Sequence, residues 1–310
     1  MIKILYCKKS TLHYTEIENL LSANGFAVTT LSIEDATETS FIDCSLLINA
    51  MDSFYCDEKT ELLVDYFNKG GHILNLNATP FTQSLTDAQT NNRILRSFDI
   101  IDDFTPIEDT CSYVVSAAGD KLSTELTGFG SAVYHLSAYA ENGTRRTGYL
   151  EHVLDAYDAN DTLVAVPVLR IVTFERGSMT LFSFAFTTEL LRKDYWKTLF
   201  LDLVKKELAG NVLLTVDADM ARYTNEEEKA ITVKLDTLTR KANAPLSLKM
   251  TVTDQNNDTV FEQAENVTLP YENIFSPQIT ASSLYKITVT IQDAGVTLTR
   301  KETGILVLSD

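Results

Sequence analysis

Cysteine and histidine are scarce in this chain, four of each in 310 residues. Cys7, Cys44, Cys56 and Cys111 stand far apart, without the short paired spacing that a zinc knuckle or a dithiol redox site needs, so the sequence reads them as free thiols. His13, His72, His135 and His152 show no metal-ligand spacing either, and neither a metal site nor a cofactor is expected. Basic residues are outnumbered, 26 Lys and Arg against 43 Asp and Glu, for a formal charge of −17. That field repels phosphate backbones and anionic lipid, which argues against a nucleic-acid partner. No stretch approaches 18 consecutive apolar residues, so no membrane insertion is expected, and the apolar run after Met1 is too short for the core of a signal peptide. The sequence as it stands reads as cytoplasmic; secretion or surface attachment is the expectation if the chain is a fragment of a longer protein. With only 12 Gly and 6 Pro, the composition is globular, neither collagen-like nor disordered.

What is present is a change of grammar along the chain. Up to about residue 80, short apolar runs alternate with amphipathic stretches, as when strands feed crossover helices. Ile2 to Cys7 reads as a strand. Thr15 and Glu18 have capping-box spacing, Ile17, Leu20 and Leu21 share a face and Gly25 is a stop, which predicts a helix over 15–24. Ala27 to Ile33 and Ser45 to Ala50 read as the next strands, a helix follows from Asp57 to Gly70, and His72 to Asn77 is a fourth strand. Residues 80–160 are less regular, with a strand at Tyr113 to Ala117 and a turn at Asp158 to Asp161. Leu163 to Phe174 and Met179 to Phe186 read as strands joined by a Glu175-Arg176-Gly177-Ser178 hairpin turn, followed by a helix over 189–208. After Gly210 only strand and turn signals remain, about seven strands, with Asp254 to Asp258 as one of the turns.

These patterns predict two domains: residues 1–210, an α/β domain with a flavodoxin-like, amidotransferase-like parallel sheet, and residues 211–310, an all-β immunoglobulin-like sandwich. In a parallel sheet, ligands bind beyond the carboxyl ends of the strands. The residues that fall there are His13 and Tyr14, then Asp52, Phe54 and Tyr55, then Asn77, Thr79 and Phe81. Aromatic and hydrogen-bonding side chains in that mixture suit a small-molecule cleft.

The strand succession, the Lys69-Gly70-Gly71 helix end and Arg176-Gly177-Ser178 before Met179 to Phe186 together resemble the class I glutamine amidotransferase-like fold. The version most similar is the module of β-galactosidases and other carbohydrate-active proteins, where it helps assemble subunits. In active members a nucleophilic Cys sits on the turn after the strand that corresponds to His72 to Asn77, and a base His lies in a Phe-His-Pro-Glu run. This chain has Asn77-Ala78-Thr79-Pro80 and Phe186-Thr187-Thr188-Glu189 at those places. Only Glu189 matches, and a carboxylate without its thiol and imidazole does not perform acyl transfer. The resemblance therefore implies a degenerate site with no catalytic residue.

Asp217 to Glu227, before the strand Ile231-Thr232-Val233, and Leu284 to Val289 resemble immunoglobulin-like modules of bacterial carbohydrate-active and surface proteins. Such modules act as spacers or docking surfaces. The combined expectation is a non-catalytic accessory or assembly region of a glycoside hydrolase-associated or surface polysaccharide system, with a carbohydrate ligand and a homo-oligomer or partner subunit in view. The alternatives are a hydrolase, glycosidase or esterase, using His13, Asp52 or Glu189 as acid or base in the same cleft, and a sugar-binding module that stacks Phe54, Tyr55 and Phe81 on pyranose faces.

Overall fold

The computed structural model describes residues 1–8, 14–51, 57–76, 100–106, 111–116, 121–123, 130–136, 148–174, 176–182, 184, 186–239 and 244–309. The chain divides into two compact units, Met1–Val204 and Lys205–Asp310.

The first unit is built on a nine-stranded sheet. Its strands are β1 (Ile2–Tyr6), β2 (Val28–Ser32), β3 (Leu46–Asn49), β4 (His72–Asn75), β6 (Tyr113–Ser116), β7 (Lys121–Ser123), β9 (Gly148–Tyr157), β10 (Leu163–Thr173) and β11 (Ser178–Phe182), while β5 (Ile100–Pro106) and β8 (Gly130–Leu136) pair separately. The order is β2-β1-β3-β4-β11-β10-β9-β6-β7. The first five run parallel, and from β11 onward every neighbour is antiparallel. Helix α1 (Tyr14–Ala23) follows β1, α2 (Asp57–Asn68) follows β3, and α3 (Thr188–Leu191) and α4 (Asp194–Ala209) follow β11.

This overturns the flavodoxin-like expectation. Strand accounts for 50% of the structure against 20% helix, and the sheets are large, mixed or antiparallel. The physical reason lies in the connections: a parallel neighbour needs a crossover, whereas β10 and β11 meet through the short Gly177 turn and β9 and β10 through the Asp158 turn, and both must be antiparallel. The helix expected over 189–208 is also broken in two between Leu191 and Asp194.

Alternation fixes what each face buries. Leu5, Leu47, Ile73, Met179, Leu181, Leu169 and Ile171 form one face, on which α2 lays Leu63, Tyr66 and Phe67, with Ile33, Ala36 and Phe41 from the segment after β2. Each buried Leu, Ile, Met or Phe among them contributes about 1.5–3 kcal/mol relative to exposure. Phe182 alternates to the other face and meets Phe186, which stacks on Phe200 of α4 and abuts Trp196. At the amino ends of β4 and β11 two glycines meet: a Cβ on Gly177 would overlap the Gly71 carbonyl.

The second unit encloses one core between two sheets, β12-β14-β17 and β13-β19-β18-β15-β16. The strands are β12 (Val212–Ala218), β13 (Arg222–Thr224), β14 (Ile231–Thr237), β15 (Leu246–Thr253), β16 (Thr259–Val267), β17 (Tyr271–Phe275), β18 (Ser283–Asp293) and β19 (Val296–Leu308). Leu246, Leu248, Met250 and Val252 alternate inward from β15, as do Ile231, Val233 and Leu235 from β14. The Tyr285 hydroxyl donates to the Ala281 carbonyl at 2.8 Å, tying the start of β18 to the chain just before it.

Candidate functional site at the carboxyl edge of the parallel strands

The carboxyl ends of β2, β1, β3, β4 and β11 form one edge of the sheet, and its described residues make three polar or aromatic groups. At the centre Asn49 and Asn75, both buried, share a 2.5 Å bond from Asn49 Nδ2 to Asn75 Oδ1. Asn49 Oδ1 accepts from the Met51 amide at 3.2 Å. A buried amide demands partners, and these bonds hold the two strand ends in register where the chain leaves the sheet.

Toward β2, Glu34 is the acceptor for a ring of donors. The Cys7 thiol reaches Oε1 at 3.1 Å, the Lys8 amide reaches both oxygens, and the Ser32 hydroxyl donates to Oε2. Burial opposes ionisation of Glu34, but the bonds from Ser32, from Cys7, from its own backbone amide and from that of Lys8 outweigh it and bring its pKa to about 2. Glu34 is thus a fixed anion. Lys8 Nζ adds an exposed pair to Asp35 at 2.8 Å.

The third group is aromatic. Tyr14, at the first position of α1, stacks on Tyr6 at the end of β1, with ring centroids 4.3 Å apart and planes 18° from parallel. Just past α3, Arg192 donates to Glu16 in the first turn of α1 at 3.4 Å. The start of α1 and the short helix that carries Glu189 therefore lie side by side.

Of the residues expected here, Tyr14 and Glu189 are described. Tyr14 is half-buried in its stack and Glu189 is exposed in the first turn of α3. His13, Asp52, Phe54, Tyr55, Asn77, Thr79 and Phe81 lie outside the described residues. Cys7, Glu34, Asn49 and Asn75 were missed. Nothing in the sequence flags Glu34, because its donors come from two strands whose pairing only the structure gives.

An imidazole–hydroxyl pair exists elsewhere: His72 Nδ1 and Ser178 Oγ are 2.6 Å apart. It sits at the amino ends of β4 and β11, and Ser178 is 0% and His72 8% exposed. A hydroxyl that no substrate reaches is not a nucleophile in use, and the pair serves to bridge the two strands. Cys7 and Cys111 are buried and Cys44 is half-buried, and burial pushes the Cys44 thiol upward in pKa. Among the described residues no group of three or more His, Cys, Asp or Glu is placed to hold a metal ion, and no helix is long and apolar enough to cross a membrane.

No family model and no curated protein matches the sequence. Among solved structures, the chain is similar to a ThuA-like protein from Bacteroides uniformis, with 11% identity, a TM-score of 0.43, and coverage of 67% of this chain and 91% of that one. It is also similar to a GH42 β-galactosidase from G. stearothermophilus, with 13% identity, a TM-score of 0.42, and coverage of 88% and 39%. A third likeness is to a glycosyl hydrolase family 2 member from Bacteroides cellulosilyticus, with 19% identity, a TM-score of 0.23, and coverage of 30% and 13%. The chain thus spans well under half the length of either hydrolase. Scores this low do not establish a shared fold.

Proposed function

We propose that this chain is a non-catalytic accessory or assembly region of a carbohydrate-active or surface polysaccharide system. The observation that carries the reading is at the start of α3. Where the sequence resemblance calls for a base imidazole, Thr187 stands exposed at the N-cap of a four-residue helix, and Glu189 points to solvent in its first turn. At the other catalytic position the sequence has Thr79 in place of the thiol. Acyl transfer needs nucleophile and base within hydrogen-bond reach, and neither residue type is at its place. The carbohydrate context comes from the resemblances in both halves of the sequence.

Two measurements test the reading. Glutaminase, ester and chromogenic glycoside substrates should show no turnover; activity lost in Thr79→Ala, His13→Ala or Glu189→Gln would overturn it. Sedimentation at high concentration should reveal self-association that strengthens with added salt, because screening relieves the repulsion of a −17 chain. A strictly monomeric profile at all salt concentrations removes the homo-oligomer.

A further inference from the structure

Inward positions of edge strands in a sandwich should be apolar, since they cover the core. On β16 and β17 they are not. Register places Phe261, Gln263, Glu265 and Val267 opposite Val252, Met250, Leu248 and Leu246, all of which point into the core. On the other sheet it places Tyr271, Asn273 and Phe275 opposite Leu235, Val233 and Ile231. Directly opposed residues share a face, so Gln263, Glu265 and Asn273 occupy positions that face between the sheets.

The two strands end different sheets at the same margin, because only Thr268-Leu269-Pro270 separates them. Stacked sheets lie about 10 Å apart. Across that gap the Tyr271 hydroxyl donates to Glu265 Oε1 at 2.7 Å, and Val267 and Phe275 are buried on either side. Gln263 and Asn273 remain exposed while Phe261, Glu265 and Tyr271 are half-buried. Burial first, and then the bond to Glu265, push the Tyr271 phenol up to about 12, with Asn273 drawing it back, so at neutral pH it is a hydroxyl donor.

We propose that this margin is a binding slot for a neutral hydroxylated ligand, an oligosaccharide. The Gln263 amide supplies a donor and an acceptor, the Asn273 amide, whose Oδ1 already accepts from the Ile274 N–H at 3.0 Å, supplies a donor, the Glu265 carboxylate has lone pairs beyond its bond from Tyr271 for sugar hydroxyls, and the rings of Phe261 and Tyr271 offer apolar faces. No basic side chain stands at these inward positions, which disfavours an anionic ligand. The slot does not rest on the assembly reading. Inward polar residues can also serve only to keep an edge strand from pairing with another copy, and the test separates the two.

The full chain, labelled for amide NMR, is titrated with cellotetraose, xylotetraose, mannotetraose and galactotetraose. At least one should give saturable shifts centred on residues 261–265 and 271–275. Gln263→Ala and Asn273→Ala, both exposed and safe for folding, should each weaken that binding about tenfold, the size of one lost hydrogen bond. Silence from all four sugars, or shifts confined to other parts of the chain, overturns the slot. So does a Gln263→Ala, Asn273→Ala double variant that binds unchanged while self-associating in sedimentation, which makes these side chains edge guards. Because the readout is sugar contact alone, its failure leaves the sedimentation and turnover tests of the assembly reading intact, and theirs leaves it intact.

Discussion

Glu34 carries the clearest titration. Its folded pKa, about 2, lies below the ordinary 4.5, so the folded state binds its proton more weakly than the unfolded chain does. The stabilisation is complete above pH 4.5 and is lost as pH falls toward 2. Wild type should therefore exceed Glu34→Gln in thermal stability by a constant margin at neutral pH, and the margin should close through that acid window; a margin independent of pH counts against the donor ring. Gly177 permits a second prediction. A methyl there meets the Gly71 backbone, which cannot retreat as a side chain can, and Gly177→Ala should cost about 1–3 kcal/mol in urea unfolding. Legibility at this scale was partial. Gly177 announced a turn, and Asp158 did too: its carboxylate accepts from the Asn160 and Thr162 amides. Asn49 and Asn75 are different, since an Asn at a strand end looks like the start of a loop, and only the register of β3 with β4 makes them a pair.

At the scale of elements, the period of apolar residues located what it could encode. The helix expected over 15–24 is Tyr14–Ala23, and Ile2–Tyr6, Leu46–Asn49 and His72–Asn75 are strands. Direction is not in the period, and that is why a parallel sheet was expected where β10 and β6 run against the other seven strands. β9 was missed because its inward positions are diluted: Glu151 pairs with the buried Arg170 of β10 at 3.3 Å, so a charge stands where a strand pattern wants an apolar residue. β17 was missed for the same reason, with an inward Asn273 and an outward, exposed Ile274 breaking the alternation in Tyr271–Phe275. The aromatic contact between β11 and α4 allows a direct check. Trp196, the only tryptophan in the sequence, is 1% exposed and lies against Phe184 and Phe186. Its emission should resist iodide quenching in the native protein, and Phe186→Ala should admit the quencher and cost about 3–5 kcal/mol. Free quenching of the wild type would contradict the packing of α4.

At the scale of the molecule, the question is whether each unit holds itself together. The second one has the means. Its core draws on both sheets, from Val212 in the first strand to Val307 in the last, and the terminal strand β19 pairs with β18 along its length and with β13 at its end. Every strand from β12 to β19 finds its hydrogen-bonding neighbours inside Lys205–Asp310. A segment whose apolar surface and backbone partners are supplied internally satisfies what independent folding requires. Residues 205–310 produced alone should therefore unfold in one cooperative step, with calorimetric and van't Hoff enthalpies equal. Because Tyr285 is buried and its hydroxyl anchors the chain ahead of β18, Tyr285→Phe should lower the midpoint of that step by the worth of one hydrogen bond, about 0.5–1.5 kcal/mol, without broadening it. A broad, non-cooperative melt of the isolated segment would mean that the core drawn by the strands is not sufficient by itself.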